Sequence, residues 1–303
     1  MRKLKGEALL LITAFIWGTS FISQKVGMNY IQPFTFGASR FLLGALGLVM
    51  VIMMFDAISN KNATKSGIPK QNKLRTKDLL VGGTLCGVAL FFGASFQQWG
   101  IVETTVGKAG FITALYILLV PIFGLFMHKR VGLFTWIGVG IAVIGLYLLC
   151  VKEGFSVERG DIIVLIGTIF WALQIIIVDL FTETTDGMKL SCVQFIVAGL
   201  LSAVAAFVFE TPKLSAIIDC SGPILYTAIM VVGVAYTLQI IGQKSTPPTV
   251  AAIILSLESV FAVLSGAFFL GETMNGRELS GCVLVFVAVL LTQFKPKGLK
   301  EEH

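Results

Sequence analysis

ALLLITAFIWGTSFISQKVG at residues 8–27 and DIIVLIGTIFWALQIIIVDL at residues 161–180 are apolar runs with a tryptophan near the middle of each, and the second echoes the first. Trp17 and Trp171 stand 154 positions apart, and the same offset carries Glu7 onto Asp161, Lys25 onto Asp179 and Arg40 onto Gln194. An internal repeat of this kind decides the architecture before any single motif does. Further apolar runs lie at 32–55, 79–102, 105–127 and 133–151 in the first half, and at 190–210, 222–242, 248–270 and 278–294 in the second. Most are close to the ~20 residues that cross ~30 Å of hydrocarbon as a helix. Five crossings per half is an odd number, so the second half enters the bilayer from the side opposite to the first. The expected fold is therefore an all-α integral membrane protein. Its ten transmembrane helices form a 5+5 inverted-topology repeat, with residues 1–152 as the first unit and 153–303 as the second.

Composition agrees, because the chain is 56% hydrophobic and 13% charged with a mean hydropathy of +0.89, more apolar surface than a soluble domain of this length can bury. If the termini are placed in the cytoplasm, 16 Lys and Arg residues fall on the cytoplasmic side and 6 on the outer side, with Arg40 left in the membrane. Positive loops face the cytoplasm, so both termini are expected there, in a multi-pass protein of the cell membrane. The net charge of +6 belongs to those loops, which face anionic headgroups, and gives no reason to expect nucleic acid as a partner. The first helix is read as retained: it is too long for a signal-peptide core and lacks a small-residue cleavage site. Cys86, Cys150, Cys192, Cys220 and Cys282 have neither C-x-x-C nor metal-ligand spacing and are read as small core residues. The long connection at 56–78 is polar and basic and is read as a cytoplasmic loop.

The echo continues into later helices with slightly different offsets: Gln97 and Gly100 match Gln239 and Gly242 at 142, and Gly138 matches Gly281 at 143. With FIWGTSFISQK at 15–25, PFTFGASRFLLGAL at 33–46, ILSLESVFAVLSGAFFLGE at 254–272 and LSGCVLVFVAVLL at 279–291, the chain resembles the drug/metabolite transporter superfamily, in the form with two EamA domains. The resemblance spans nearly the whole chain and is carried by the order and doubling of these pieces. It implies a ten-helix bundle with a central substrate cavity that works by alternating access without ATP. The family pattern usually has a proline where this chain has Ser259, which leaves the bend of that helix open.

Depth along each helix at ~1.5 Å per residue selects the polar residues that meet at mid-membrane. Trp17 and Trp171 lie at roughly 14–15 Å, Arg40 at roughly 12 Å and Glu258 at roughly 15 Å. Ionised groups at that depth are costly and normally face a partner or an aqueous cavity. Two readings follow for Arg40 and Glu258: a structural pair across the bundle, or function, with Glu258 as the proton- or cation-coupling site. A carboxylate can exchange a proton; an arginine keeps its charge. Gln24, Gln97, Gln98, Gln174 and Gln239 can donate to and accept from a polar metabolite, or hydrogen bond between helices. Trp17, Trp171, Tyr116 and Tyr236 are candidate aromatic walls. Trp17, Gln24, Arg40, Gln97, Tyr116, Trp171, Gln174, Tyr236 and Gln239 are thus the expected substrate-binding residues, and Glu258 the coupling residue. Lys25, Glu103, Lys108 and Asp179 near helix ends have two readings, snorkelling side chains or gating contacts, of which snorkelling is preferred.

These features favour a secondary transporter, expected to export a small organic metabolite such as an amino acid, with protons as the coupling ion. An integral-membrane enzyme is the competing class, but His128 and His303 lie at a helix end and at the terminus, and no metal-binding spacing or paired membrane carboxylates accompany them. A non-transporting scaffold is the third class, against which the doubled mid-membrane residues weigh. No cofactor or metal is expected, and no P-loop is present to bind ATP. The expected partners are the substrate, the lipid bilayer and protons, in a monomer or homodimer.

Overall fold

A chain in hydrocarbon must satisfy its backbone within its own segments, and helices account for this one. A computed structural model describes residues 2–66, 76–104, 106–128, 131–150, 157–270 and 275–293. The first half contains α1 (Arg2–Gly27), α2 (Pro33–Ser66), α3 (Thr76–Glu103), α4 (Val106–Ala114), α5 (Tyr116–Phe126) and α6 (Leu133–Cys150). The second contains α7 (Arg159–Phe181), α8 (Gly187–Phe209), α9 (Leu214–Asp219), α10 (Ser221–Tyr226), α11 (Tyr236–Gln243), α12 (Pro248–Leu255), α13 (Glu258–Leu270) and α14 (Gly276–Gln293). A π-helical segment, Thr227–Ala235, joins α10 to α11. Among the described residues there is no strand, and 8 helical stretches are long and apolar enough to cross a membrane. Two shorter apolar helices, Leu133–Leu148 and Leu279–Leu291, occupy the remaining two expected positions. The expected loop at 56–78 is helical as far as Ser66, where α2 ends; residues 67–75 of it lie outside the described residues.

The bundle carries its polarity inside. Met53, Phe126, Phe207, Phe209 and Phe268 are exposed, whereas Gln24, Gln97, Gln98, Gln174, Gln194, Gln239 and Gln243 are buried. This is the distribution that suits lipid as the outer solvent, since amides in the interior can hydrogen bond across helices. Small residues let the helices approach. A Cβ on Gly87 of α3 would stand 2.6 Å from the Val197 side chain of α8, and one on Gly145 of α6 would stand 2.9 Å from the Gly281 carbonyl of α14. Cys86, Cys192 and Cys220 are free and buried, and Cys282 is buried as well.

Helix ends are fixed by side chains. The Glu210 carboxylate, after α8, accepts from the Phe34 and Thr35 amides at 2.8 and 2.7 Å and from the Thr35 hydroxyl at 2.6 Å. It thereby occupies the donors at the positive end of α2. Asp186 does the same for α8 through the Met188 and Lys189 amides. Lys25 and Lys108 do not snorkel as read from the sequence. Lys25 Nζ donates to the Ile101, Val102 and Thr104 carbonyls at the end of α3, and Lys108 pairs with Glu158 at 3.1 Å and Asp161 at 3.4 Å. Carbonyls at a helix C-terminus and carboxylates at a helix N-terminus are better partners for an ammonium than the path to the interface.

Two apolar runs expected as single helices are broken at their centres. The run at 105–127 divides at Leu115, between α4 and α5, and the run at 248–270 divides at Ser256 and Leu257, between α12 and α13. Both breaks are tight turns, with the Leu115 amide bonded to the Ile112 carbonyl and the Leu257 amide to the Ile254 carbonyl, each three residues back. Neither contains a proline or glycine. Side chains of neighbouring helices add bonds to carbonyls beside the first break: Thr168 of α7 donates to the Ile112 carbonyl at 2.9 Å, and Ser259 to the Gly110 carbonyl at 2.9 Å. The bend left open at Ser259 therefore forms without proline, and Ser259 instead ties α13 to α4.

Candidate functional site

A central cavity gathers residues from nine of these elements: Trp17, Ser20, Phe21 and Gln24 of α1, Arg40 of α2, Gln97 of α3, Thr113 of α4, Tyr116 of α5, Trp171, Gln174 and Ile175 of α7, Val231 of the π-helical segment, Tyr236 of α11 and Glu258 of α13. The lining leaves a cavity of about 30 Å³. Small-molecule pockets are commonly ~300–1,000 Å³, so the walls must separate to admit a metabolite. Nine of the ten residues singled out from the sequence lie in this lining; Gln239 does not. It sits behind the wall, donating to Gln174 at 3.0 Å and Gln243 at 2.9 Å.

Aromatic rings form one side. Trp17 lies 4.9 Å from Tyr236 and 6.4 Å from Trp171, and Trp171 is stacked on Tyr236 at 6.2 Å, centroid to centroid. These separations fall within the range for attractive aromatic pairs. Both indoles are wall and packing at once.

The charged groups do not neutralise each other. Among the described residues, Arg40 and Glu258 make no ion pair, although both line the cavity and both are 4% exposed. Arg40 donates through Nη1 to Gln24 Oε1 at 3.2 Å and lies over the Phe36 and Phe41 rings at 5.2 and 4.8 Å. Gln24 in turn donates to Ser20 at 3.0 Å. Glu258 accepts from the Tyr116 hydroxyl at 3.0 Å. Tyr116 and Glu258 are each the first residue of a second half-helix and are 142 positions apart, the offset already relating Gln97 to Gln239. The structural pairing of Arg40 with Glu258 is absent, and the carboxylate's partner is its own counterpart in the other half.

Three buried N–H donors in this lining have no hydrogen-bond partner: Trp17 Nε1, Trp171 Nε1 and Arg40 Nε. Buried polar groups are ordinarily satisfied, and each exception calls for an explanation.

Ser20, Phe21, Thr113, Ile175 and Val231 were not singled out from the sequence. Ser20 was findable, since it lies between Trp17 and Gln24 at helical spacing on one face of α1. Thr113, which accepts from Gln97 at 3.0 Å, precedes Tyr116 by three residues in the same way. Val231 sits in the π-helical segment, where α-helical spacing gives no guide to direction.

Residues 4–151 and 158–294 each match the model of the EamA-like transporter family. The chain belongs to the EamA-like transporter family. Similar proteins include an uncharacterized transporter of Archaeoglobus fulgidus, 30% identical over 97% of this chain and 88% of that one. Another is the uncharacterized inner membrane transporter YedA of Escherichia coli, 25% identical over 91% of this chain and 87% of that one. A solved crystal structure, 17% identical, shares the fold with a TM-score of 0.69 over 94% of this chain and 96% of that one. Membership places this chain among multi-pass membrane transporters, for which the bilayer and a small-molecule substrate are the partners.

Proposed function

We propose that this EamA-family protein is a secondary exporter of amino-acid-like zwitterions, driven by protons exchanged at Glu258. The observation that carries the substrate class is the set of unpartnered donors, Trp17 Nε1, Trp171 Nε1 and Arg40 Nε, in the same lining as a carboxylate, Glu258, whose one partner among the described residues is the Tyr116 hydroxyl. A substrate carboxylate supplies the missing acceptors and meets the arginine's charge. Its ammonium meets Glu258 and the faces of Trp17, Trp171 and Tyr236. Trp17, Gln24, Arg40, Gln97, Tyr116, Trp171, Gln174 and Tyr236 bind substrate directly, and Gln239 holds Gln174 in place.

The architecture we propose is ten crossings in two inverted units, 1–152 and 153–303, with both termini cytoplasmic and the unit functional as a monomer or homodimer. Packing supports it. α3 lies on α7 as the α10–α11 stretch lies on α1; α3 lies on α8 as the π-helical segment lies on α2; α2 lies on α8 and α6 on α14, each pair being its own counterpart. Both broken helices place a polar side chain at the bend, as discontinuous helices in transporters do at their substrate sites. The tight cavity fits a carrier that opens to one side at a time.

The test is counterflow in liposomes containing the purified full chain, run across amino acids, decarboxylated amines and deaminated acids, with and without a pH gradient. Exchange of α-amino acids with little exchange of either truncated series is expected. Equal exchange of amines lacking the carboxylate would overturn the substrate class. Cysteines placed at positions 65 and 213 test orientation: an impermeant reagent applied to intact cells should label the second and spare the first.

A further inference from the structure

The relation between the two halves can be followed to both ends of the bundle, and it fails at one hydroxyl. At the end where α1 finishes, Gly100 of α3 lies against Gly160 of α7. A Cβ on either would stand 2.7 or 2.8 Å from the carbonyl oxygen of the other. Beside this contact Thr104 donates to the Asp161 carboxylate at 2.5 Å. At the opposite end the same contact recurs between Gly6 of α1 and Gly242 of α11, with corresponding distances of 2.8 and 2.9 Å. The offset of 142 carries Gly100 onto Gly242 and Thr104 onto Thr246, and that of 154 carries Gly160 onto Gly6 and Asp161 onto Glu7. Thr246 is 2% exposed, and its hydroxyl has no hydrogen-bond partner. It lies 3.0 Å from where a Cβ of Gly6 would stand, next in the chain to Glu7. The glycine contact is present at both ends, but the threonine-to-carboxylate hydrogen bond is made at one.

Two inverted copies exchange conformations when a carrier turns from one side to the other. A contact present in both copies persists through that exchange, and a contact present in one is handed to the other. A buried hydroxyl with no partner marks a bond made elsewhere in the cycle. Resting on the two-unit transporter reading above, we infer that Thr104–Asp161 and Thr246–Glu7 are alternating latches, of which this structure holds the first closed, while the two glycine contacts are the pivots that stay closed throughout. Thr104, Asp161, Thr246 and Glu7 are positioning residues: they touch no substrate and set which side the cavity faces. The closed latch is reinforced at its own end. Lys108 binds Asp161 and Glu158, and Lys25 holds the last carbonyls of α3.

The full chain with its native cysteines changed to serine and a Ser20→Cys reporter in the cavity wall tests this. It is labelled with an impermeant thiol reagent from each side, in right-side-out and inverted vesicles. Thr104→Val and Asp161→Asn should raise labelling from the Thr104 side about two- to tenfold, the shift that one hydrogen bond supplies. Thr246→Val and Glu7→Gln should lower it. Thr104→Val with Thr246→Val should return towards the starting balance, and Thr104→Ser, which keeps the hydroxyl, should leave it in place. Threonine variants that shift labelling in the same direction, or a Thr246→Val that changes nothing, would overturn the latches. Counterflow by the chain without the reporter separates the two failures. Flux with no opposed shifts removes the latches alone, whereas opposed shifts without flux of any solute remove the transporter reading and leave the two-state switch.

Discussion

The α4–α5 pair and the α12–α13 pair break at positions that correspond through the offset of 142, yet one bend presents Tyr116 and the other Glu258. The backbone device is duplicated, including the three-residue turn and the absence of proline or glycine. The chemistry is not. A tyrosine hydroxyl facing a carboxylate across the axis between the halves gives one neutral donor and one group able to release a proton, joined at 3.0 Å. Two identical residues would give either two carboxylates that repel or two phenols without a titrating partner. Duplication sets where the bends lie, and divergence at a single pair of positions gives them opposite roles.

The largest expected effect breaks that division of roles. Glu258→Gln keeps size and hydrogen-bonding capacity and removes titration, so stimulation of transport by a pH gradient should disappear while counterflow persists. Stimulation surviving in liposomes would end the coupling assignment. Arg40→Gln should weaken substrate binding by roughly ten- to a hundredfold, the worth of hydrogen bonds to a charged group. A counterflow titration reads it, and an unchanged half-saturation would place the carboxylate site elsewhere. Tyr116→Phe leaves Glu258 without the partner it has here and should lower stability by about 1–3 kcal/mol. Thermal unfolding in detergent measures that, and a Tyr116→Phe, Glu258→Gln double variant sharpens the comparison by showing whether the cost belongs to the pair. Trp17→Phe and Trp171→Phe keep a ring and remove the N–H, so each should weaken binding about two- to tenfold. Because the two indoles correspond through the repeat, unequal effects would show that substrate lies off the axis.

How much was legible follows from what stands out against an apolar background. Arg40, Glu258 and the amides were visible because polar groups in hydrocarbon require a reason, and the doubled tryptophans because an offset of 154 recurs along the chain. Gln239 was placed in the lining and lies behind it, since an amide's partners depend on which way its helix faces, and here they are Gln174 and Gln243. The breaks at Leu115 and Leu257 were not legible, because no helix-breaking residue marks them; hydrogen bonds between helices accompany them, such as that of Ser259 to Gly110. The link between Tyr116 and Glu258 could have been found by applying the offset of Gln97 and Gln239 to every polar residue of the fourth run. Lys25 and Lys108 were misread because snorkelling considers one helix and the interface, whereas their partners lie on neighbouring helices.

The π-helical segment Thr227–Ala235 has a further consequence for Tyr236, which follows it directly. A π turn accommodates more residues per turn than the α-helix around it, and its far end leaves the Ala235 carbonyl to accept from the Thr13 hydroxyl at 3.0 Å. Angular phase is thereby stored in the helix. Deleting a single residue between Thr227 and Ala235 would let the stretch relax to α geometry with Tyr236 still facing Trp17, whereas a second deletion, at 3.6 residues per turn, would turn one side of it relative to the other by about 100°. Tyr236 would then leave the face of Trp17 and Gln239 would leave Gln174, with no side chain of the wall itself altered.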